Sequence, residues 1–438
     1  MPSRLLWRRS VTAVGMYSSA VVGFLGTVVA AHAFSTAVLG LFTIVVAATG
    51  FFQMLLDLTV EEAVIKYGFR YQARSQWGRL RRLFDRAFTF KASGDVLAGA
   101  ALVGVAFASH ALFGDSRLET PLLVAALLPL AQSMEGLAGT ALILRGRYDV
   151  RALFLLLSSS LRLAGIAVGT RYGLTETVVG IVAGQAAATA AIGAAGVAAL
   201  RRFPRVPKER LGDDRSEIVS FVLQSSAATG VVSLRGTFAP LLLGLVTTPT
   251  QVGFFRVASA PQSGFATLSA PARMVLLTEQ TRDWELGRRD VVFRGVRRYS
   301  LAAAACMTAV LPPLLVFMPD VVRVLFSAKN IGAVDAARVL AFAAALQFVF
   351  GWTKSFPVSI GRPNLRIWTH GLETVVLIPL VLLIGAAYGA TGAAAAVLAA
   401  TAAFCGFWSV LFARIQSEPD LGPLHATLPP AAEEVLVP

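Results

Sequence analysis

The sequence predicts an all-α polytopic membrane protein of about twelve transmembrane helices, arranged as two six-helix pseudo-repeats with both termini in the cytoplasm. Three observations predict this class. Of 438 residues, 56% are hydrophobic and only 15% charged, with a mean hydropathy of +0.68, whereas soluble domains carry roughly a quarter charged residues. The apolar residues fall in runs close to the roughly 20 residues that cross a hydrocarbon core. The basic residues crowd into every second connection between those runs.

In chain order the runs predict spans at roughly 11–31, 37–57, 84–110, 119–144, 150–170, 176–200, 218–245, 250–276, 296–318, 333–358, 366–386 and 391–413. The first is full length and lacks a small-residue cleavage site, so it is expected to be a span rather than a cleaved signal peptide. Of the 39 Lys and Arg, 29 lie in alternate segments: Arg4 to Arg9, Lys66 to Arg86, Arg145 to Arg151, Arg201 to Arg215, Arg273 to Arg298, Arg362 with Arg366, and Arg414. The intervening connections hold four, Arg117, Arg171, Arg323 and Lys329. This asymmetry is the positive-inside pattern. It makes the net charge of +14 a determinant of topology and a contact for anionic membrane lipids, not the footprint of a nucleic-acid binder. Cys306 and Cys405 sit inside apolar segments, as small buried hydrophobes with no disulfide framework.

Self-similarity sets the domain organisation. "VLGLFTIVVAATGFF" (38–52) aligns with "QVGFFRVASAPQSGF" (251–265), placing Gly40 on Gly253 at an offset of 213. "RGRYDVRALF" (145–154) matches "IGRPNLRIWT" (360–369), with Gly146, Arg147 and Arg151 on Gly361, Arg362 and Arg366; "RYGLTE" (171–176) falls against "AYGATG" (387–392). Six spans per half return the chain to its starting side, so the halves share one orientation. The expected domains are a lobe over 1–200, a basic cytoplasmic linker over 201–216, a second lobe over 217–414 and a polar, proline-broken cytoplasmic tail over 415–438, expected to be disordered. Transporters built from such repeats hold substrate between the halves near the bilayer midplane. Gly180-x-x-x-Gly184 predicts close helix packing in the sixth span.

Eight charged residues fall inside predicted spans: Lys91, Asp95, Glu135, Arg162, Arg235, Arg256, Lys354 and Glu373. Each costs about 2.5–3.5 kcal/mol at the bilayer centre on insertion scales, so all are expected to face protein or a wet cavity. Lys91 and Asp95, at i and i+4, are placed to neutralise one another. Arg162 has Glu135 as a candidate partner, and Lys354 has Glu373, one turn from His370. Arg256 and Lys354 also lie near span ends, from which long side chains snorkel. Arg235 stands midway along its span with no acid on its own helix. Five cations against three acids leave a cationic surplus. A guanidinium fork matches phosphate oxygens and stays charged at any physiological pH, so Arg235, Arg256, Lys354, Arg162 and Lys91 are the candidate substrate-binding cations. Asp95, Glu135 and Glu373 are candidates for charge pairing or ion coupling.

The opening "STAVLGLFTIVVAATGFFQMLLDLTVEEAVIKY" (35–67), its echo at 247–277, and the "GRYDVR" and "YGLTE" junctions resemble the polysaccharide biosynthesis proteins. These are O-antigen-type oligosaccharide-lipid flippases of the multidrug/oligosaccharidyl-lipid/polysaccharide exporter (MOP) superfamily, and the resemblance runs over about residues 11–414. It implies a V-shaped pair of six-helix lobes around a cationic cavity in the plasma membrane of a bacterium. Through that cavity, alternating access moves a polyprenyl-diphosphate-linked oligosaccharide from the inner to the outer leaflet. It also implies partnership with a polysaccharide polymerase and other pathway proteins. The related lipid II flippases line their cavity with arginines from the first, second and eighth spans. Here only Arg256 has a counterpart and the chain is two spans shorter, which points away from lipid II as cargo.

Two other classes have weaker support. A drug or cation exporter of the same superfamily needs surplus acid where this chain has surplus base. A membrane polymerase or ligase of the same pathway places catalytic residues in large outer loops. Here those loops are short, and His32, His110, His370 and His425 are scattered. No nucleotide-binding loop, metal motif or cysteine cluster occurs, so no enzyme activity, cofactor, metal or catalytic residue is expected.

Overall fold

The computed structural model describes residues 2–56, 60–212, 214–268, 270–362 and 364–418, with side chains described except at 2–13, 224–225, 227–236, 267–268, 270–275, 278 and 285. The described residues contain helices and no strand. The first half comprises α1 (Pro2–Ala33), α2 (Thr36–Leu56), α3 (Val60–Ala73), α4 (Trp77–Phe107), α5 (Ser109–Phe113), α6 (Glu119–Ala125), α7 (Leu128–Gln132), α8 (Glu135–Leu144), α9 (Tyr148–Gly169) and α10 (Leu174–Arg201). The second comprises α11 (Asp214–Val246), α12 (Pro249–Ala258), α13 (Ala260–Leu268), α14 (Ala270–Glu285), α15 (Arg289–Val316), α16 (Met318–Phe326), α17 (Val334–Val349), α18 (Phe356–Ser359) and α19 (Asn364–Ser417). Among the described residues, nine helical stretches are long and apolar enough to cross a membrane.

Several runs expected to be single spans are broken, and most of the breaks fall beside proline, which lacks the N–H that a continuous helix needs. The run 119–144 becomes α6, α7 and α8, with Pro129 opening α7. The run 250–276 breaks at Ser259, with Pro261 in the first turn of α13. After α17 a 3₁₀ turn, Gly351–Lys354, precedes Pro357 in α18. Conversely, the runs 366–386 and 391–413 join in α19, interrupted only at Gly389 (φ 60°, ψ −135°). There the N–H of Ala390 donates to Gln251 Oε1 at 2.8 Å instead of to the preceding turn. The expected tail lies outside the described residues from 419 onward.

The backbone records the repeat. Positive-φ residues recur in register: Ser75 with Gly287, Gly114 with Ser327, Gly146 with Gly361, and Gly173 with Gly389. Gly146 and Gly361 sit at matching left-handed helix ends, a conformation that costs glycine nothing. The following N–H groups close the same long-range bond, Arg147 to Leu142 O at 2.9 Å and Arg362 to Pro357 O at 2.8 Å, a Schellman-type cap.

The halves meet through the repeat itself. A Cβ on Gly40 would lie 1.7 Å from Pro249 O, and one on Gly253 would lie 2.2 Å from Thr36 O. Thr36 and Pro249 stand at the same offset as Gly40 and Gly253. Each half therefore offers the other the same patch, as an isologous two-fold contact requires. Within the first half, Gly165 and Gly180 approach equally closely between α9 and α10, and Gly184 packs on Leu161 O. Small residues let helix backbones touch where lipid gives no hydrophobic drive for association. A central core joins α2, α11, α12, α17 and α19 through residues such as Leu41, Leu243, Val252, Leu340 and Val397. Two smaller cores lie at the basic end, one per half. Outward-facing Leu301, Trp368, Val375 and Leu383 are exposed, as a lipid-facing surface requires.

Candidate functional site

Two of the proposed cations come together. Arg162 on α9 and Arg256 on α12 both line a cavity of about 300 Å³ bounded by α1, α2, α7, α9 and α10. Arg256 crosses from the second half, and its Nη2 donates to Thr27 Oγ1 on α1 at 2.8 Å. Thr27 takes one of five guanidinium donors. The rest of the lining is neutral: Gln53 Nε2 donates to Gln132 Oε1 at 2.8 Å, Thr49 bonds Val45 O at 2.8 Å, and Ser159 Oγ lies 2.5 Å from Ser19 Oγ. No aspartate or glutamate is among the described residues that line the cavity.

Arg162 forms no ion pair with Glu135 among the described residues. Glu135 Oε2 accepts from Gln185 Nε2 at 2.5 Å, and Gln185 Oε1 accepts from the Ser158 hydroxyl at 3.3 Å. An amide on α10 thus satisfies this carboxylate at the start of α8, and Arg162 is not paired with it. Lys91 Nζ donates to Asp95 Oδ1 at 3.1 Å, with both side chains almost fully buried. This pair is on α4, away from the cavity. Glu373, 1% exposed, meets His370 Nδ1 at 3.2 Å, and the His370 ring stacks on Phe404 with centroids 5.0 Å apart. Lys354 closes the 3₁₀ turn beside the aromatic core of the second half and does not line the cavity. The backbone of Arg235 belongs to α11; its side chain, and with it the expected cavity role, lies outside the described residues.

The neutral lining escaped sequence reasoning because the search counted charges. A signal was available: Gln53 and Gln132 interrupt apolar runs, and an amide in such a run needs a partner. Arg338, also inside an expected span, was passed over; its Nε donates to Leu315 O at 3.1 Å near the end of α15.

The two halves are joined at the end away from the basic connections. Thr36 Oγ1 donates to Asn330 Oδ1 at 2.9 Å, and Lys329 Nζ donates to His32 O at 2.7 Å. Both bonds span the two halves, and they flank the Gly40–Gly253 contact.

Solved structures share this architecture. A multidrug resistance MATE family transporter of the MOP superfamily, inward-facing, superposes with a TM-score of 0.69 at 14% identity over 92% of this chain and 93% of its own. The lipid II flippase MurJ, inward closed, gives 0.72 at 12% identity over 93% and 88%. A MOP superfamily transporter from Pyrococcus furiosus, whose structure is described by the reverse polarity of its binding pocket, gives 0.58 at 13% identity over 94% and 96%. The chain shares the fold of these transporters, and its long apolar helices are those of a multi-pass membrane protein. The family model for polysaccharide biosynthesis proteins matches residues 8–276, and the chain belongs to that family. No curated protein matches it in sequence.

Proposed function

We propose that this protein moves a polyprenyl-diphosphate-linked oligosaccharide from the inner to the outer leaflet of a bacterial plasma membrane, with twelve spans in two lobes and both termini in the cytoplasm. The observation that carries this reading is a cavity with two guanidinium groups and no described acid, lined by residues from both halves. A diphosphate offers charge and oxygens that match the guanidinium fork. The amides and hydroxyls of Gln53, Gln132, Thr49 and Ser159 suit sugar hydroxyls.

The head group cannot cross hydrocarbon unaided, because its charges would lose their hydration. Beside α12 lies a second cavity of about 270 Å³ lined by Phe24, Pro261, Phe265, Leu314 and Phe326. It gives a prenyl chain an apolar path past Arg256, whose neighbour Val257 lines it. A polar cavity of about 300 Å³ is at the small end for ligand sites, so a sugar chain passes only when the halves separate. Breaking the Thr36–Asn330 and Lys329–His32 bonds would open the outer side. Alternating access then follows from rocking the halves about the cavity. The product would be handed to a polysaccharide polymerase.

Proteoliposomes carrying a fluorescent polyprenyl-diphosphate sugar in one leaflet test the reading. Protein-dependent appearance of the probe in the other leaflet is expected, with no efflux of a cationic dye. Dye efflux without lipid movement would assign the chain to drug export instead.

A further inference from the structure

The largest of these cavities is not the one between the halves. A groove of about 680 Å³ runs along the basic end of α4, between α3 and the start of α11. Its floor is apolar, formed by Val60, Val64, Leu83, Ile218, Val219 and Val222. Its rim carries four arginines, Arg82, Arg86, Arg210 and Arg215. None of their guanidinium groups makes a hydrogen bond or ion pair with a described residue. Three nearby acids are already engaged: Asp85 pairs with Lys208, Asp214 accepts from Arg79 at 3.2 Å and from the Tyr71 hydroxyl at 2.9 Å, and Glu217 pairs with Arg70 at 3.1 Å. On the adjoining face of α4 a second apolar groove, of about 570 Å³, is lined by Phe88, Leu137 and Val197 and shares Arg82 and Arg86.

We propose that these grooves hold an anionic phospholipid, its phosphate on the arginine rim and its acyl chains along α4. An ordinary solvated basic face would need no apolar floor, and an ordinary lipid-facing seam would not gather four uncompensated cations. Each arginine near an anionic head contributes about 1 kcal/mol, and guanidinium is the group that grips phosphate bidentately. The basic connections mark this end as cytoplasmic, where anionic lipid is available. The corresponding end of the second half is packed differently among the described residues. There Trp352, Phe356, Trp408 and Phe412 pack on one another with ring centroids 5.1–5.6 Å apart. The site lies outside the cavity between the halves and does not depend on what that cavity carries.

Native mass spectrometry of the full chain, delipidated in detergent and titrated with dioleoyl phosphatidylglycerol or dioleoyl phosphatidylcholine, tests the proposal. Wild type should retain the anionic lipid at least about tenfold better, equivalent to about 1.4 kcal/mol. R82Q/R86Q/R210Q/R215Q should cut that preference to about twofold or less. R288Q/R294Q/R298Q/R414Q, which removes as many exposed arginines from the basic end of the second half, should leave it intact. V219W, which keeps all four guanidiniums and fills the groove, should also lose the anionic lipid. Equal retention of both lipids by wild type, equal losses in the two quadruple variants, or undiminished binding by V219W would each overturn the site.

Discussion

In the first half, glutamines interrupt the apolar helices beside a cavity lined by no described acid, where Gln53 bonds Gln132 and Arg162 and Arg256 line the wall. In the second half a comparable pair closes on itself: Gln262 Nε2 donates to Gln347 Oε1 at 3.1 Å, and Gln347 Nε2 donates to Thr401 Oγ1 at 3.1 Å. The cavity nearest that chain is apolar. At the basic end, α3 and α4 of the first half with the start of α11 wall an arginine-rimmed groove, whereas the second half packs a core of aromatic rings there. Backbone turns survive at matching positions in both halves, while the side chains between them have diverged. Duplication explains the frame, and specialisation of one half explains the site. A symmetric frame suits a molecule that rocks, and an asymmetric lining suits a cargo with a charged head and an apolar tail.

Disabling the polar cavity should therefore cost far more than disabling its counterpart. R256A is expected to slow lipid-diphosphate translocation about 100-fold and R162A at least about tenfold, since a charge-assisted hydrogen bond contributes about 1.5–3 kcal/mol. R256K should recover only part of the loss, because an ammonium keeps the charge and lacks the fork. Q347A should stay within about threefold of wild type, its network being internal to the second half. Initial rates at matched protein density in proteoliposomes decide this; equal losses in R256A and Q347A would erase the distinction between the halves.

The reciprocal contact of Gly40 and Gly253 is where the symmetry can be broken mechanically. G40A and G253A each drive a methyl group into the other half's backbone, which cannot retreat without separating α2 from α12. A cross-link between cysteines at Thr36 and Asn330, in a background lacking Cys306 and Cys405, reports closure of this face. Its yield should fall about tenfold in either variant, the population change that about 1.4 kcal/mol produces. A large effect from one glycine and none from the other would show that the two-fold relation is only apparent.

Much of this frame was legible in the sequence. Composition and run length gave the all-helical membrane class, and the anchors at Gly40 and Gly146 marked the repeat because turn and close-approach glycines are positions that few other residues can fill. The site was legible only in part. Arg162 and Arg256 stood out as charges where charge is costly, yet nothing in their spacing could show that they share a cavity, because they belong to different halves. Lys91, Asp95 and Glu373 stood out equally and are engaged elsewhere, by Asp95, Lys91 and His370. An intramembrane charge thus signals that a partner is required without saying whether the partner is protein or cargo. Span boundaries failed at Pro129, Pro261 and Pro357, where hydropathy continued and the helix did not.

The smallest expected effect concerns two arginine clamps, one joining the halves and one within the second, that should behave alike. Arg70 on α3 holds Glu217 at the start of α11 through bonds of 3.1 and 3.2 Å, and Arg362 holds Glu418 beyond the end of α19 at 2.8 and 2.7 Å. In each case the guanidinium hydrogen bonds pull the carboxyl below its ordinary range. A carboxylate whose folded pKa is depressed adds stability that is complete above its unfolded value, near 4.3. That contribution disappears as pH falls through the lower folded value. Melting-temperature differences between wild type and E217Q, or wild type and E418Q, should therefore be constant above about pH 5.5 and vanish in strong acid. Both pairs are exposed, so each difference should be no more than about 1 °C, in keeping with the weak contribution of surface pairs. Because the clamps are outside the diverged linings, matching pH profiles are expected even though the cavities differ. A difference that grew in acid, or one confined to a single clamp, would mean that the divergence reaches the surface as well.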